Sequence, residues 1–501
     1  MEPIGAVGSG ASGPCLSLTL EGGSFGTVAG ALTAQGTAGS WQVAGGVDLR
    51  RSDGDFLYAR DLTPNLPDDP WVVEQRRNNA SAAATVLVDA VRSGDEGRTR
   101  ITVLGHRGER GAPGLVGYPT AGATSEATRL AAGLETAGRS SAGPLALTTW
   151  LSYDAQAYDP GEDPAPGAGS AAAYGRSTVG AQLVQHVARG PHHLRLGLRG
   201  ETESLEISQA RRWTRVPARA AAALYGAETY ALGPAWTLLG ALRIEAWSDG
   251  PLWLSPRLGA RYDPPRAPGE AGFALFANLG QGVRMPTLFE RYGESAFLRP
   301  NPELRPERAW TVDLGAEWRG LPGGGVGLSL RGALFASLYE DLITYELFPP
   351  FRLKPFNTRS ARILGAEVEA SLSWGPLRAW LAYAFTEARA LSGSPWEAGR
   401  ALPYRPPHRG SGGCVLSVWR LEIFTEAEGQ STYARNRTET LFVPGWITLA
   451  TGLRLRLTER FEFSAVVENL LDDQRRQDVF GFPLPGRSFL ASLRFTPPLG
   501  D

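Results

Sequence analysis

Five aspartates lie within seventeen residues of this chain, at Asp53, Asp55, Asp61, Asp68 and Asp69. They are its densest set of hard oxygen ligands. Calcium takes six to eight oxygens from carboxylates and carbonyls, so a calcium-binding loop is one reading. A solvated acidic loop is the other, and the sequence favours it. Other metal chemistry is poorly supplied. Cys15 and Cys414 are too few for a zinc site. A disulfide between them is disfavoured, because Cys414 lies in a strand-like segment. The histidines are His106, His186, His192, His193 and His408. On a strand, adjacent His192 and His193 face opposite ways and cannot share a site. No phosphate-binding Walker loop, Gly-x-Ser-x-Gly elbow or His-Glu-x-x-His motif occurs. Gly320 to Gly327 reads as a turn between strands. Arg195, Arg199, Arg454 and Arg456 could bind carboxylates or phosphates, or simply line a polar wall. The expectation is a protein that is not an enzyme and carries no resident cofactor.

The elements that position these side chains are strands. Trp310, Val312, Leu314, Ala316 and Trp318 alternate with Thr311, Asp313, Gly315 and Glu317. Period two over nine residues puts an apolar and a polar face on one strand. The same period recurs at Leu194–Arg199, Glu367–Trp374, Phe461–Glu468 and Ser488–Phe495. Apolar outside and polar inside is the pattern of a membrane barrel, whose strands need about 9–11 residues to cross. A soluble β-sandwich or propeller also alternates and is the alternative from periodicity alone.

Composition narrows the class. The net charge of −1 argues against a nucleic-acid partner, which calls for a basic excess. The longest apolar stretch, Ala220 to Leu242, is interrupted by Glu228, Gly233 and Pro234, so no spanning helix is expected. The 62 glycines and 37 prolines suit many turns rather than disorder. Dividing 501 residues among about 22 strands leaves about 12 residues per connection. The longer connections are expected at Asp53–Asn79, Gly105–Thr128, Asp154–Tyr174, Arg284–Glu307, Tyr345–Ser360, Ala388–Pro407, Thr425–Thr440 and Asp472–Arg487.

Two motif blocks carry a resemblance. Arg284-Met-Pro-Thr-Leu-Phe-Glu-Arg-Tyr-Gly293 followed by Asn301-Pro-Glu-Leu-Arg-Pro-Glu307 resembles the barrel signature of TonB-dependent outer-membrane receptors. Val467-Glu-Asn-Leu-Leu-Asp-Asp473 with Gly481-Phe-Pro-Leu-Pro-Gly-Arg487 resembles that family's closing hairpin, with Leu471 where phenylalanine is usual. Weaker matches at Asn357–Glu369 and Leu402–His408 fall in the same order. Gly23-Ser-Phe-Gly26 looks like the first barrel strand, and Arg77-Asn-Asn79 resembles the next loop of cobalamin-receptor-like members.

The resemblance implies an all-β, single antiparallel barrel of about 22 strands over residues 15–495, with a remnant at 1–14 and a tail at 496–501. It makes Arg284, Pro286, Glu290, Asn301, Pro302, Pro306, Glu307, Asn469, Pro485, Gly486, Arg487 and Phe495 structural motif residues. Glu307 is expected to pair with an arginine. Phe495 is expected to end a closing strand that pairs with a first strand near Leu16–Gly30. The implied partners are outer-membrane lipid, a small ligand such as an iron-siderophore or cobalamin, and the TonB complex, acting through a plug domain. A monomer is expected. Some cobalamin receptors bind calcium in loops near the barrel start, which bears on Asp53–Asp69. Only about twenty residues precede Gly22, too few for a plug, and Met1-Glu-Pro-Ile begins no secretory signal. The sequence is therefore read as a truncated open reading frame or a barrel separated from its plug. A receptor barrel and a plugless, porin-like channel are the two functional expectations.

Overall fold

A computed structural model describes residues 15–61, 71–95, 97–115, 118–161, 171–209, 212–267, 270–293, 298–323, 325–348, 352–393, 395–478 and 482–497. Twenty-two strands form one antiparallel sheet. It closes where the opening strand, Cys15–Gly23, pairs with the last, Ser488–Phe495, from Leu18↔Phe495 to Gly23↔Leu490. Closure gives each of the 22 strands a neighbour on both sides, so the wall has no edge strand. The opening strand is shorter than expected. Gly23 ends it, and Ser24–Gly26 form a turn in which Phe25 and Gly26 have φ of 59° and 62°. The Gly26 α-carbon leaves no room for a side chain, because a Cβ there would lie 2.1 Å from Asp53 Oδ2.

Alternation sets the two faces of the wall. Trp310, Val312 and Leu314 point outward and are 45%, 41% and 55% exposed. Outward Trp310 and Trp318 are eight residues apart, about 26 Å along the strand. At a tilt of about 40° that spans about 20 Å along the barrel axis, close to the height of an apolar membrane band between aromatic girdles. Leu196, Leu198, Val368, Trp374, Phe489 and Leu493 are exposed on the same outer face. No helix among the described residues is long and apolar enough to cross a membrane.

The inner face is polar and carries cross-strand ion pairs. Arg261 bonds Glu317 at 3.1 Å, and Arg454 bonds Glu422 at 3.3 Å. Several inward aromatic rings lie over glycines of the neighbouring strand. A Cβ at Gly315, Gly180 or Gly197 would fall 2.1, 2.2 or 2.0 Å from the rings of Phe276, Trp150 or Tyr225. Glycine thus lets a bulky ring lie flat against the wall and cover exposed backbone.

The two rims differ. At the rim where the first strand begins and the last strand ends, short turns join most strands. At the other rim stand the long connections, as in membrane barrels with short turns on one side and loops on the other. Three buried apolar clusters form there, including Leu342, Ala361, Ala388, Ala390 and Leu402. Among the described residues the wall itself has no comparable core, since its side chains face out or into the lumen.

Several connections are more ordered than their composition suggested. Tyr345–Ser360 is mostly ladder: strands Val326–Phe348 and Arg352–Trp374 pair from Val326↔Trp374 to Phe348↔Arg352. Each is 23 residues, about twice a membrane span, so this hairpin stands well above the wall. Gly105 and Asp154 lie within strands Gly97–Gly111 and Gly143–Asp159, so those loops start later. Within Asp53–Asn79, Leu57–Asp61 and Trp71–Gln75 form a small hairpin of their own.

Candidate functional site at the loop rim

The connection from Arg284 to Glu307 organises the loop rim. Its ends were legible: strand Gly272–Arg284 finishes and strand Glu307–Gly323 begins at the register pair Arg284↔Glu307. Between them Leu288–Tyr292 forms a short helix, α1, which the prolines had obscured. Thr287 and Glu290 make a reciprocal capping box. The Thr287 hydroxyl accepts from the Glu290 amide at 3.0 Å, and the Glu290 carboxylate accepts from the Thr287 amide at 2.8 Å.

Glu290 is 5% exposed and gathers the loop around itself. Arg284 Nη1 donates to it at 3.1 Å and the Tyr345 hydroxyl at 2.8 Å. Arg284 Nε donates to Glu307 at 2.7 Å, and the second Glu307 oxygen accepts from the Ile343 amide at 2.8 Å. Glu307 does pair with an arginine. Burial alone would raise the Glu290 carboxyl; the Thr287 amide, Arg284 and Tyr345 outweigh it and hold it below the usual carboxylate range.

The helix turns toward the lumen. Leu288 packs against Leu205, Ile207 and Val216, and the Phe289 ring lies 4.2 Å from Tyr174. Leu205, Ile207 and Tyr174 follow the inward parity of their strands, since Leu196, Leu198 and Val179 point out, and Val216 joins them through the register irregularity between Glu203 and Leu205. Arg219, 5% exposed, pins the entry to the helix: its Nη1 donates to the Pro286 carbonyl at 2.6 Å. The same guanidinium pairs with Glu203 and stacks 4.6 Å from the Trp247 ring. Sequence reading missed Arg219, Tyr345 and Tyr174.

The remaining motif residues of this loop are braces. The Asn301 amide donates to the Glu290 carbonyl at 2.9 Å, and its side chain donates to the Pro355 carbonyl at 3.0 Å. The Pro302 carbonyl accepts from Arg291 Nε at 3.3 Å. Pro306 sits directly before the strand. The second motif block closes the last hairpin in the same manner. Asn469, 3% exposed with φ of 47°, donates to the Asp473 and Pro485 carbonyls at 3.1 and 3.3 Å. The Arg487 amide donates to Asp472 Oδ1 at 2.7 Å. A Cβ at Gly486 would lie 2.5 Å from that same oxygen. Phe495 ends the closing strand, its ring 4.8 Å from Phe461.

The loops are tied to one another around the rim. The Arg299 amide bonds the Leu353 carbonyl at 2.8 Å, joining the Arg284–Glu307 connection to the tall hairpin. Arg437 links that hairpin and the next loop, through Glu346 and through Glu397 at 2.6 Å, and stacks 3.9 Å from Phe356. Glu439 accepts from Arg400 at 3.0 Å and from the Ala401 amide at 2.6 Å. The Tyr433 hydroxyl reaches the Asp478 carbonyl at 3.4 Å. The Ala59 amide then bonds the Gln474 carbonyl at 2.9 Å, and Arg76 bonds the Gly114 carbonyl at 3.0 Å. Burial and the nearby Asp478 push the Tyr433 phenol up to about 12. Arg476, 5.7 Å from the Trp446 ring, is depressed by burial.

The aspartate loop is divided. Asp53 lies against the Gly26 turn, 3.6 Å from Arg51, and Asp55 accepts from Gln75 at 3.3 Å. Asp61 belongs to the small hairpin, and Asp68 and Asp69 lie outside the described residues. Among the described residues no three His, Cys, Asp or Glu side chains group as metal ligands. The arginine wall is largely internally paired: Arg199 bonds Glu201, Arg454 bonds Glu422, and Arg195 stacks 5.8 Å from Tyr225.

Comparisons with known proteins agree with this architecture. Solved structures with the same fold include the copper transporter OprC, with 17% identity and a TM-score of 0.76 over 97% of this chain and 80% of that one. The siderophore receptor PiuA from Acinetobacter baumannii gives 11% and 0.74, over 97% and 82%. The FrpB iron transporter from Neisseria meningitidis gives 14% and 0.71, over 97% and 82%. At these identities the likeness is one of fold. A sequence model described as "TonB dependent receptor-like, beta-barrel" matches residues 23–470, most of the chain. The chain belongs to the TonB-dependent receptor β-barrel family.

Proposed function

We propose that this chain forms the wall and the ligand-facing rim of a TonB-dependent transporter in the Gram-negative outer membrane. Its cargo in this reading is a scarce small ligand of the metal-chelate class, an iron-siderophore or cobalamin. The observation that carries the reading is the loop rim. Successive loops are joined to each other by ion pairs and backbone bonds, and partly buried guanidinium groups stacked on aromatic rings, Arg437–Phe356 and Arg476–Trp446, lie among them. Such groups suit a large, polarisable, anionic or aromatic ligand. The names of PiuA and FrpB, a siderophore receptor and an iron transporter, point the same way. OprC, a copper transporter, makes copper a second cargo to test.

In this reading a plug domain fills the lumen and TonB acts on it. A barrel of about 22 strands is too wide for its own side chains to close. Calcium in the Asp53–Asp69 loop forms no part of the reading. The purified protein should be titrated with catecholate, hydroxamate and carboxylate ferric siderophores, cyanocobalamin and copper(II), following tryptophan fluorescence. Saturable binding of one class, weakened by Arg476→Gln or Arg437→Gln, supports the proposal. Binding of none of them, with the barrel intact, counts against it.

A further inference from the structure

Two rows below Pro286's anchor, the lumen wall holds a cavity of about 180 Å³ lined by Arg199, Glu201, Ala221, Ala223, Arg243 and Glu245. The topology explains why it exists. In the middle strand, Arg212–Leu232, alanines stand opposite three of the four charged residues: Arg199↔Ala223↔Glu245 form one row and Glu201↔Ala221↔Trp247 the next, while Arg243 lies one row further down, opposite Tyr225. Ala223 is 4% exposed and makes the floor. Arg199 and Glu245 therefore face each other from strands two spacings apart, about 9.5 Å between backbones.

The four charged heads are held in place before any ligand arrives. Arg199 Nη2 bonds Glu201 at 2.7 Å, and Arg243 Nε bonds Glu245 at 2.7 Å, each within its own strand. Arg199 is also stacked 4.8 Å from the Trp150 ring. Each guanidinium has five N–H donors and spends few of them on its partner; each carboxylate keeps free lone pairs. A simple anion entering this cavity meets two carboxylates, and a simple cation meets two guanidinium groups. A molecule with separated charges satisfies both walls at once.

We propose that this alanine-floored cavity is a binding site for short zwitterions, with the ligand carboxylate on Arg199 and its ammonium on Glu245. The site is on the lumen wall and independent of which cargo binds the rim; in the transporter reading it faces the plug, so the test uses the barrel alone. The test uses the purified barrel in detergent micelles, with γ-aminobutyrate, butyrate and butylamine as calorimetric probes. The expected result is γ-aminobutyrate binding tighter than about 10 mM, with butyrate and butylamine each at least about tenfold weaker. Arg199→Gln and Glu245→Gln should each weaken γ-aminobutyrate about tenfold or more. Ala223→Leu, which keeps every charge and fills the floor, should abolish binding while the unheated protein keeps its folded electrophoretic mobility. Equal binding of all three probes, no binding of γ-aminobutyrate, or full binding by the folded Ala223→Leu protein would overturn the proposal.

Discussion

Replacing Glu290 by glutamine should open the Arg284–Glu307 connection while leaving the barrel intact. Glutamine keeps the shape of the side chain but removes its charge and turns one acceptor into a donor. The Thr287 amide, Arg284 and the Tyr345 hydroxyl all donate to this carboxylate, at 2.8, 3.1 and 2.8 Å. Hydrogen bonds to a buried charge contribute about 1.5–3 kcal/mol each, and a mismatched buried donor costs about 1–3 kcal/mol. Arg284 is 42% exposed and retains Glu307, so its share is discounted. The net local cost is about 2–3 kcal/mol. Hydrogen exchange across residues 285–293 should therefore accelerate about 30- to 150-fold, at 1.4 kcal/mol per factor of ten. Arg305→Gln, which breaks the more exposed pair with Asp341, should accelerate it less than about fivefold. The sign with pH follows from the depressed Glu290 carboxyl. Its contribution is complete above the ordinary glutamate value of 4.5 and is lost as pH falls from there through the lower folded value. Unchanged exchange in Glu290→Gln, or equal acceleration throughout the barrel, would refute this reasoning.

Leu334 faces outward, opposite Leu314, between the levels of Trp310 and Trp318, and is 62% exposed. Leu334→Arg should cost about 2–4 kcal/mol in vesicle unfolding, whereas Ala333→Arg, pointing into the lumen, should cost less than about 1 kcal/mol. Gly315→Val would press a side chain into the Phe276 ring and should destabilise by about 1–3 kcal/mol; Phe276→Ala in the same chain should relieve most of it. Phe495→Ala should slow assembly, followed by heat-modifiable mobility, because Phe495 ends the strand that closes the barrel against Leu18. Deleting residues 498–501 should leave assembly unchanged.

The parts legible in the sequence are those where a physical boundary forces a pattern. Within the apolar band every second residue must suit hydrocarbon, so the faces of Trp310–Trp318 and Phe489–Phe495 could be read directly. The Arg284 and Glu307 strand ends were legible because prolines cannot donate to a ladder. Above the band that requirement lapses. Tyr345–Ser360 looks like loop by composition, yet its backbone continues the ladder for lack of any better set of partners. The α1 capping box was in plain sight as Thr287-Leu-Phe-Glu290, but the surrounding prolines argued against a helix. Arg219 had no local signal at all. Its partners Glu203 and Pro286 are 16 and 67 residues away: hairpin register sets Glu203 opposite it, and the inward fold of the Arg284–Glu307 connection brings Pro286 to it.

The wall of a TonB-driven transporter and an open pore differ in what drives uptake. The most direct measurement is uptake of the ligand that binds the purified protein, by cells making the protein in matched strains with and without a working TonB. Uptake that is saturable and abolished without TonB is the result predicted. Uptake that continues at the same rate without TonB, rising in proportion to ligand concentration, would contradict it.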